Sequence, residues 1–215
     1  MLRVRRTGGI AGIGGPGSIP DLSVYSSGRV VRASGRPGAR GDTELTEHRL
    51  TRPALRRLLD GAHAAGFGRS HTVGSEMIPD AIITVVVLGD ARTRIIQQGV
   101  PGGPETAFLK RLDPDGWRAS DLAAPPRPYT PERTAVLAGE ISGGTGTGRR
   151  ARPWPLGPLG DGVRVAGGIC TLAPSEKVPE TRPGVPWRSE GKTYSVRVRP
   201  LLPGESSCED VGSSP

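Results

Sequence analysis

Aromatic side chains make up only 4% of this chain and hydrophobic residues 34%, which excludes a large aromatic-rich core. Whatever packs must be built from Val, Leu, Ile and Ala, with Trp117, Trp154 and Trp187 as the bulky exceptions. Such a core leaves little stability over the entropy of ordering the chain. Histidine is confined to His48, His63 and His71, none in a His-Glu-x-x-His setting, and no serine sits in Gly-x-Ser-x-Gly. The usual signatures of zinc peptidases and serine hydrolases are therefore missing. Asp and Glu are scattered, without the clustering of paired catalytic carboxylates or a calcium loop. The longest apolar run, residues 81–89, is interrupted by Thr84 and is far too short to cross a bilayer.

Cysteine is limited to Cys170 and Cys208. Neither has a second Cys or a His at zinc-finger spacing, so no metal site is expected. Two free thiols of a cytosolic protein and one disulfide of an exported protein are both compatible with this pair. A bond between them would close a loop that contributes about 4 kcal/mol on the chain-entropy account. Nothing at Met1-Leu2-Arg3 reads as a signal peptide. Export is thus expected to depend on a leader that lies upstream or has been trimmed.

What the chain has in quantity is glycine, proline and arginine: 33 Gly, 22 Pro and a net charge of +8. Lysine appears only at 110, 177 and 192. Residues 1–60 hold eleven Arg against five acidic residues, a local excess of +6. No aromatic-rich sheet, recognition helix or zinc module accompanies that charge. It predicts weak attraction to an anionic envelope polymer and no specific nucleic-acid reading.

Leu2 and Val4 alternate with Arg3 and Arg5, the period of a half-buried strand. A hairpin follows, with Leu22 and Val24 in one arm, Val30 and Val31 in the other, and Gly28 in the turn. Residues 35–43 read as an exposed loop, and the Arg40-Gly41-Asp42 within it is discounted as a chance match. A helix is predicted over 52–65, with Thr51 as N-cap, Pro53 in the first turn and Gly66 as the stop. Its buried stripe is Leu55, Leu58, Leu59 and Ala62, and His63 faces water. Glu44, Glu47 and His48 are read as lying just before the helix, where acids suit the macrodipole. Residues 82–88 form a central strand, too continuously apolar to be half-exposed, and a Gly89-Asp90 turn leads to a partner at 93–97. A helical turn or two is expected at 107–112 and an extended stretch at 125–131. Residues 139–158 dissolve into Gly, Thr, Arg and Pro. Two further strands, 163–171 and 192–199, are expected to pair with each other.

The fold class is thus α+β: an antiparallel sheet with one covering helix (residues 1–100), a Gly/Pro-rich linker or irregular region (101–158), and a small β-rich unit (159–215). Gly12-Ile13-Gly14-Gly15-Pro16-Gly17 matches the dinucleotide fingerprint in letters, but a strand follows where a helix N-terminus is needed. Residues 143–150 lack the Lys-Ser/Thr of a P-loop. No cofactor is expected.

Arg152-Pro153-Trp154-Pro155-Leu156, Cys170, the run Pro186-Trp187-Arg188-Ser189-Glu190-Gly191-Lys192-Thr193-Tyr194, Arg199-Pro200-Leu201-Leu202-Pro203 and Cys208 resemble a family of uncharacterised secreted lipoproteins of high-G+C Gram-positive bacteria. The resemblance implies an extracytoplasmic location, a Cys170–Cys208 disulfide and no assigned activity. The chain departs from that pattern in lacking a lipobox cysteine. It also has Pro174, Pro179, Pro183 and Pro186 where a helix is expected after Cys170. The N-terminal part, through Arg6-Thr7-Gly8-Gly9-Ile10-Ala11-Gly12, the helix and the late hairpin, resembles emfourin, an inhibitor of thermolysin-like metallopeptidases. That resemblance implies a binding loop at Gly8, Gly9, Ile10, Ala11 and Gly12. The functional expectation is an extracytoplasmic, envelope-associated binding or structural protein without catalytic activity. The alternative is a metallopeptidase inhibitor.

Overall fold

A computed structural model of the chain describes residues 1–9, 13–15, 17–37, 43–97, 103–141 and 150–212. It is a mixed α+β structure dominated by two sheets, and the chain divides into two compact units. The first comprises Met1–Gly15, Pro20–Ser34 and Leu45–Tyr129; the second comprises Pro16–Ile19, Gly35–Glu44 and Thr130–Pro215.

The first sheet has eight strands: β1 (Leu2–Gly8), β2 (Leu22–Val24), β3 (Arg29–Pro37), β4 (Thr43–Leu50), β5 (His71–Val73), β6 (Ile82–Leu88), β7 (Ala91–Ile96) and β8 (Leu122–Pro128). Their spatial order is β5-β7-β6-β1-β2-β3-β4-β8. Leu2 stands opposite both Val24 and Leu88, so the apolar side of β1 is buried between its two antiparallel neighbours. Gly28 takes the turn between β2 and β3 at φ 81°, where a Cβ would lie 2.8 Å from the Leu50 carbonyl oxygen. Both edges resist further pairing: β5 is three residues long, and β8 carries Pro125, Pro126 and Pro128.

Helix α1 (Arg52–Ala64) starts as its residues dictate, with Thr51 Oγ1 accepting from Ala54 N and Gly66 taking the positive φ beyond its end. Ala54 and Ala62 are buried, and Leu55, Leu58 and Leu59 pack beside them onto Leu2, Val24, Val86 and Ile95 of the sheet. Helix α2 (Pro104–Arg111) adds Phe108, which meets Phe67 at a ring-centroid distance of 5.4 Å.

Four expectations for this unit need correction. The sheet is not wholly antiparallel, because β5 runs parallel to β7. Two helices rather than one contribute to its core. Glu44, Glu47 and His48 belong to β4, where Glu47 and His48 are buried. Central β6 also has an exposed start at Ile82.

The second sheet contains β9 (Arg133–Glu140), β10 (Arg152–Pro153), β11 (Val163–Val165), β12 (Gly168–Pro174), β13 (Trp187–Ser189) and β14 (Lys192–Pro200), in the order β10-β13-β14-β9-β12-β11. The expected pairing of 163–171 with 192–199 is therefore replaced: β12 and β14 flank β9 from opposite sides. Residues 101–158, read as linker or irregular, hold α2, β8, β9 and β10, and residues 142–149 lie outside the described residues. Here too one pair, β10 with β13, is parallel.

Strand β9 is buried on both faces, which its unbroken Thr-Ala-Val-Leu-Ala run reflects. Val136 and Ala138 join a cluster around Trp154 and Trp187, whose rings meet edge to face at 5.1 Å. Ala135 and Leu137 join the opposite cluster, with Cys170, Cys208 and Val211 of the short helix α3 (Cys208–Gly212). Cys170 and Cys208 are bonded, S–S 2.01 Å. Nearby, Arg199 and Glu205 form a two-point ion pair at 2.6 and 2.9 Å with side-chain exposures of 2% and 3%.

Removing one partner of a buried pair leaves the other charge uncompensated, whereas replacing both with apolar groups is far milder. Arg199→Met is expected to lower the unfolding free energy by about 3–5 kcal/mol, and Arg199→Met with Glu205→Leu to recover most of it. Urea unfolding checks this; equal losses in the single and double variants would contradict it.

Candidate binding surface

Register brings Gly8 opposite Ile82, Ile83 opposite Ile96, and Val73 beside Ile95. The ends of β1, β5 and β7 and the start of β6 therefore share one end of the first sheet. Gly8 and Ile13 exchange backbone hydrogen bonds of 3.0 and 2.9 Å, and Gly9 N donates to the Ala81 carbonyl at 3.2 Å. Gly8 has φ 84°, and a Cβ on it would lie 2.5 Å from that carbonyl oxygen. Only glycine closes the loop base this tightly. Of the expected binding loop, Gly8 and Gly9 are placed here, and Ile10, Ala11 and Gly12 lie outside the described residues.

Four large apolar side chains of this region are exposed: Ile13 and Ile82 stand opposite Gly8, and Met77 and Ile78 lie in the segment joining β5 to β6. Met77 is 89% exposed, Ile13 44%, Ile78 40% and Ile82 39%. Asp80 and Gln97, both non-glycine, hold left-handed backbone at φ 51° and 59°. Such conformations persist where the surroundings over-determine them, and they collect at recognition sites. The sequence reading missed Met77 and Ile78 because residues 74–80 carry Gly, Ser, Glu, Pro and Asp and show no period. Their signal was two large apolar residues in a segment too polar to bury them.

The arginine excess of residues 1–60 is answered in part by ion pairs at four of the eleven arginines. Arg6 pairs with Asp21 (2.8 Å), Arg57 with Asp121 (2.6 Å), and Arg32 with Asp113 (3.1 Å) and Asp115 (2.6 Å). Buried Glu47 is held between Arg29 and Arg127 (2.9 Å), with Arg29 also over the Tyr129 ring at 5.3 Å. Burial pushes the Glu47 carboxyl up, but hydrogen bonds from Arg127 and Arg29 and their charges outweigh it and hold it below its ordinary value. Arg49, Arg52 and Arg56 stay exposed without an ion pair among the described residues.

A second feature of this unit is a cavity of about 250 Å³ between α1, α2 and residues 114–121. Leu50, Ala54, Leu58 and Phe108 supply apolar lining, Trp117 a flat aromatic wall, and Arg57, Arg111 and Asp121 the polar groups. Trp117 Nε1 donates to the Arg111 carbonyl at 3.0 Å.

The histidines take three different settings. His63 is exposed, as expected. His71 faces the Arg69 carbonyl at 2.9 Å and Glu105 at 3.3 Å. His48 is buried with its ring edge-on to Trp117 at 5.8 Å, and neither ring nitrogen has a hydrogen-bond partner among the described residues. Among the described residues no three His, Cys, Asp or Glu side chains group as a metal site would require, and no helix is long and apolar enough to cross a membrane. No family model matches the chain, and neither does any curated protein or solved structure.

Burial, followed by the charge of Arg32, pushes His48 below its ordinary 6.5 against a smaller opposing pull from Asp115. The unfolded chain therefore binds this proton more tightly than the folded one. The stability involved is fully present above about 6.5 and is lost as pH falls below it. Thermal unfolding should show a decline from pH 7.5 to 5.5 that is smaller in His48→Phe. An equal decline in both proteins would contradict the assignment.

Proposed function

We propose that this chain is an extracytoplasmic, envelope-associated binding protein without catalytic activity, and that it engages a protein partner through the end of the first sheet. The observation that carries the reading is the exposure of four large apolar side chains, Ile13 and Ile82 opposite Gly8 and Met77 and Ile78 in the segment that enters β6. Exposed apolar clusters on a rigid scaffold mark interaction sites. The Cys170–Cys208 bond supports an oxidising compartment, in keeping with the resemblance to secreted lipoproteins. Arg49, Arg52 and Arg56 favour a weak, salt-sensitive attraction to anionic envelope polymer, since exposed charges are screened within about 8 Å at physiological ionic strength.

A second reading, inhibition of a thermolysin-like metallopeptidase, draws on Gly8 and Gly9. These two residues, at φ 84° and 71°, form the hydrogen-bonded base from which the expected inhibitory loop would project.

A photo-crosslinking residue at position 77, introduced in producing cells, is expected to capture a protein that the same residue at exposed Asp60 does not. Met77→Asp should weaken binding of that protein by about 1–2 kcal/mol. No adduct from positions 77, 78 or 82 would overturn the reading. In a thermolysin-type peptidase assay, inhibition by the parent at micromolar concentration that Gly9→Trp abolishes would favour the inhibitor. Absence of inhibition by the parent eliminates it.

A further inference from the structure

We propose that the cavity of the first unit binds a small aromatic carboxylate, a single ring carrying one negative charge. Size comes first. An apolar cavity of about 150 Å³ accommodates benzene, and the roughly 250 Å³ here leaves room for one ring and a short acidic arm.

The walls set the shape of the body. Trp117 and Phe108 offer two aromatic surfaces, and the hydrogen bond from Trp117 Nε1 to the Arg111 carbonyl fixes the indole. A Cβ at Gly61 would rest in van der Waals contact with the Phe108 ring at 3.4 Å, so a larger side chain there would fill the space. Leu50 and Leu58 complete an apolar lining that favours a ring over a polar ligand.

Charge sets the sign and number. Two arginines and one carboxylate line the cavity. Asp121 is occupied by Arg57 at 2.6 Å. Arg111 has no carboxylate partner among the described residues; its guanidinium lies 5.7 Å from the Phe108 ring centroid. The cavity thus has one uncompensated cation beside an aromatic surface, complementary to one carboxylate on an aromatic body. His48 stands behind Trp117, outside the lining, and pushed toward its neutral form it adds no second cation to this region.

The test uses the full chain and three probes: phenylacetate, uncharged phenylacetamide and acetate. Binding is followed by the indole N–H resonance of Trp117. Phenylacetate is expected to shift that resonance saturably and to bind at least about tenfold more tightly than phenylacetamide or acetate, the margin of one charge-assisted contact. Arg111→Gln should reduce the preference for phenylacetate over phenylacetamide to near unity. Gly61→Leu should abolish binding of both ring compounds. If Gly61→Leu fails to fold, Arg111→Gln carries the test alone, since Arg111 is exposed. No saturable shift with phenylacetate, equal affinity for phenylacetamide, or an unchanged preference in Arg111→Gln would each overturn the proposal. None of these results depends on the protein-binding surface at the end of the sheet.

Discussion

The constraint on which both units depend is the shortage of large apolar side chains. With aromatics at 4% of the chain, neither core can be closed by bulk alone, and each closes by a different means. The first uses two helices and a pair of Phe rings over the sheet. The second threads β9 through its centre, places two Trp rings on one side and a disulfide on the other, and adds a buried ion pair. A buried ion pair is weak evidence for net stability, because desolvation cancels much of its attraction. What it contributes here is position: Glu205 also accepts from Leu202 N at 2.8 Å, fixing the turn that leads to Cys208.

How much of this was legible follows from particular residues. Leu2 and Val4, the Gly28 hairpin and the capped helix at 52–64 each carry a local signal whose physics is complete within a dozen residues. The Cys170–Cys208 bond was open between two readings from the residues alone, and the resemblance pointed to it. Strand β4 escaped because its buried members include Glu47 and His48, and Glu47 is tolerable there only through Arg29 and Arg127, distant in sequence. Strand β9 escaped because Ala135 and Ala138 give little strand preference and the flanking Gly and Pro residues suggested a linker. Pairing β12 with β14 was reasonable so long as β9 was unseen.

The candidate sites show the same division. Gly8 and Gly9 could be singled out from sequence, but the apolar residues that make their surroundings a surface come from three segments, 13, 77–78 and 82. The N-terminal charge excess looked like a polyanion footprint in a window of sixty residues. Folding brings Asp113 and Asp115 to Arg32 and Asp121 to Arg57, while Arg49, Arg52 and Arg56 stay exposed without an ion pair among the described residues. A window tally sees only neighbours in sequence, whereas Coulomb energy depends on separation in space.

Amide hydrogen exchange before and after reduction and alkylation tests whether a covalent closure makes up for scarce apolar area in the second unit. If the bond contributes about 4 kcal/mol, protection in β9, β12 and β14 should fall by roughly a thousandfold on reduction. Unchanged protection of β12 in the alkylated protein would show that the apolar clusters suffice without the bond and would contradict the account.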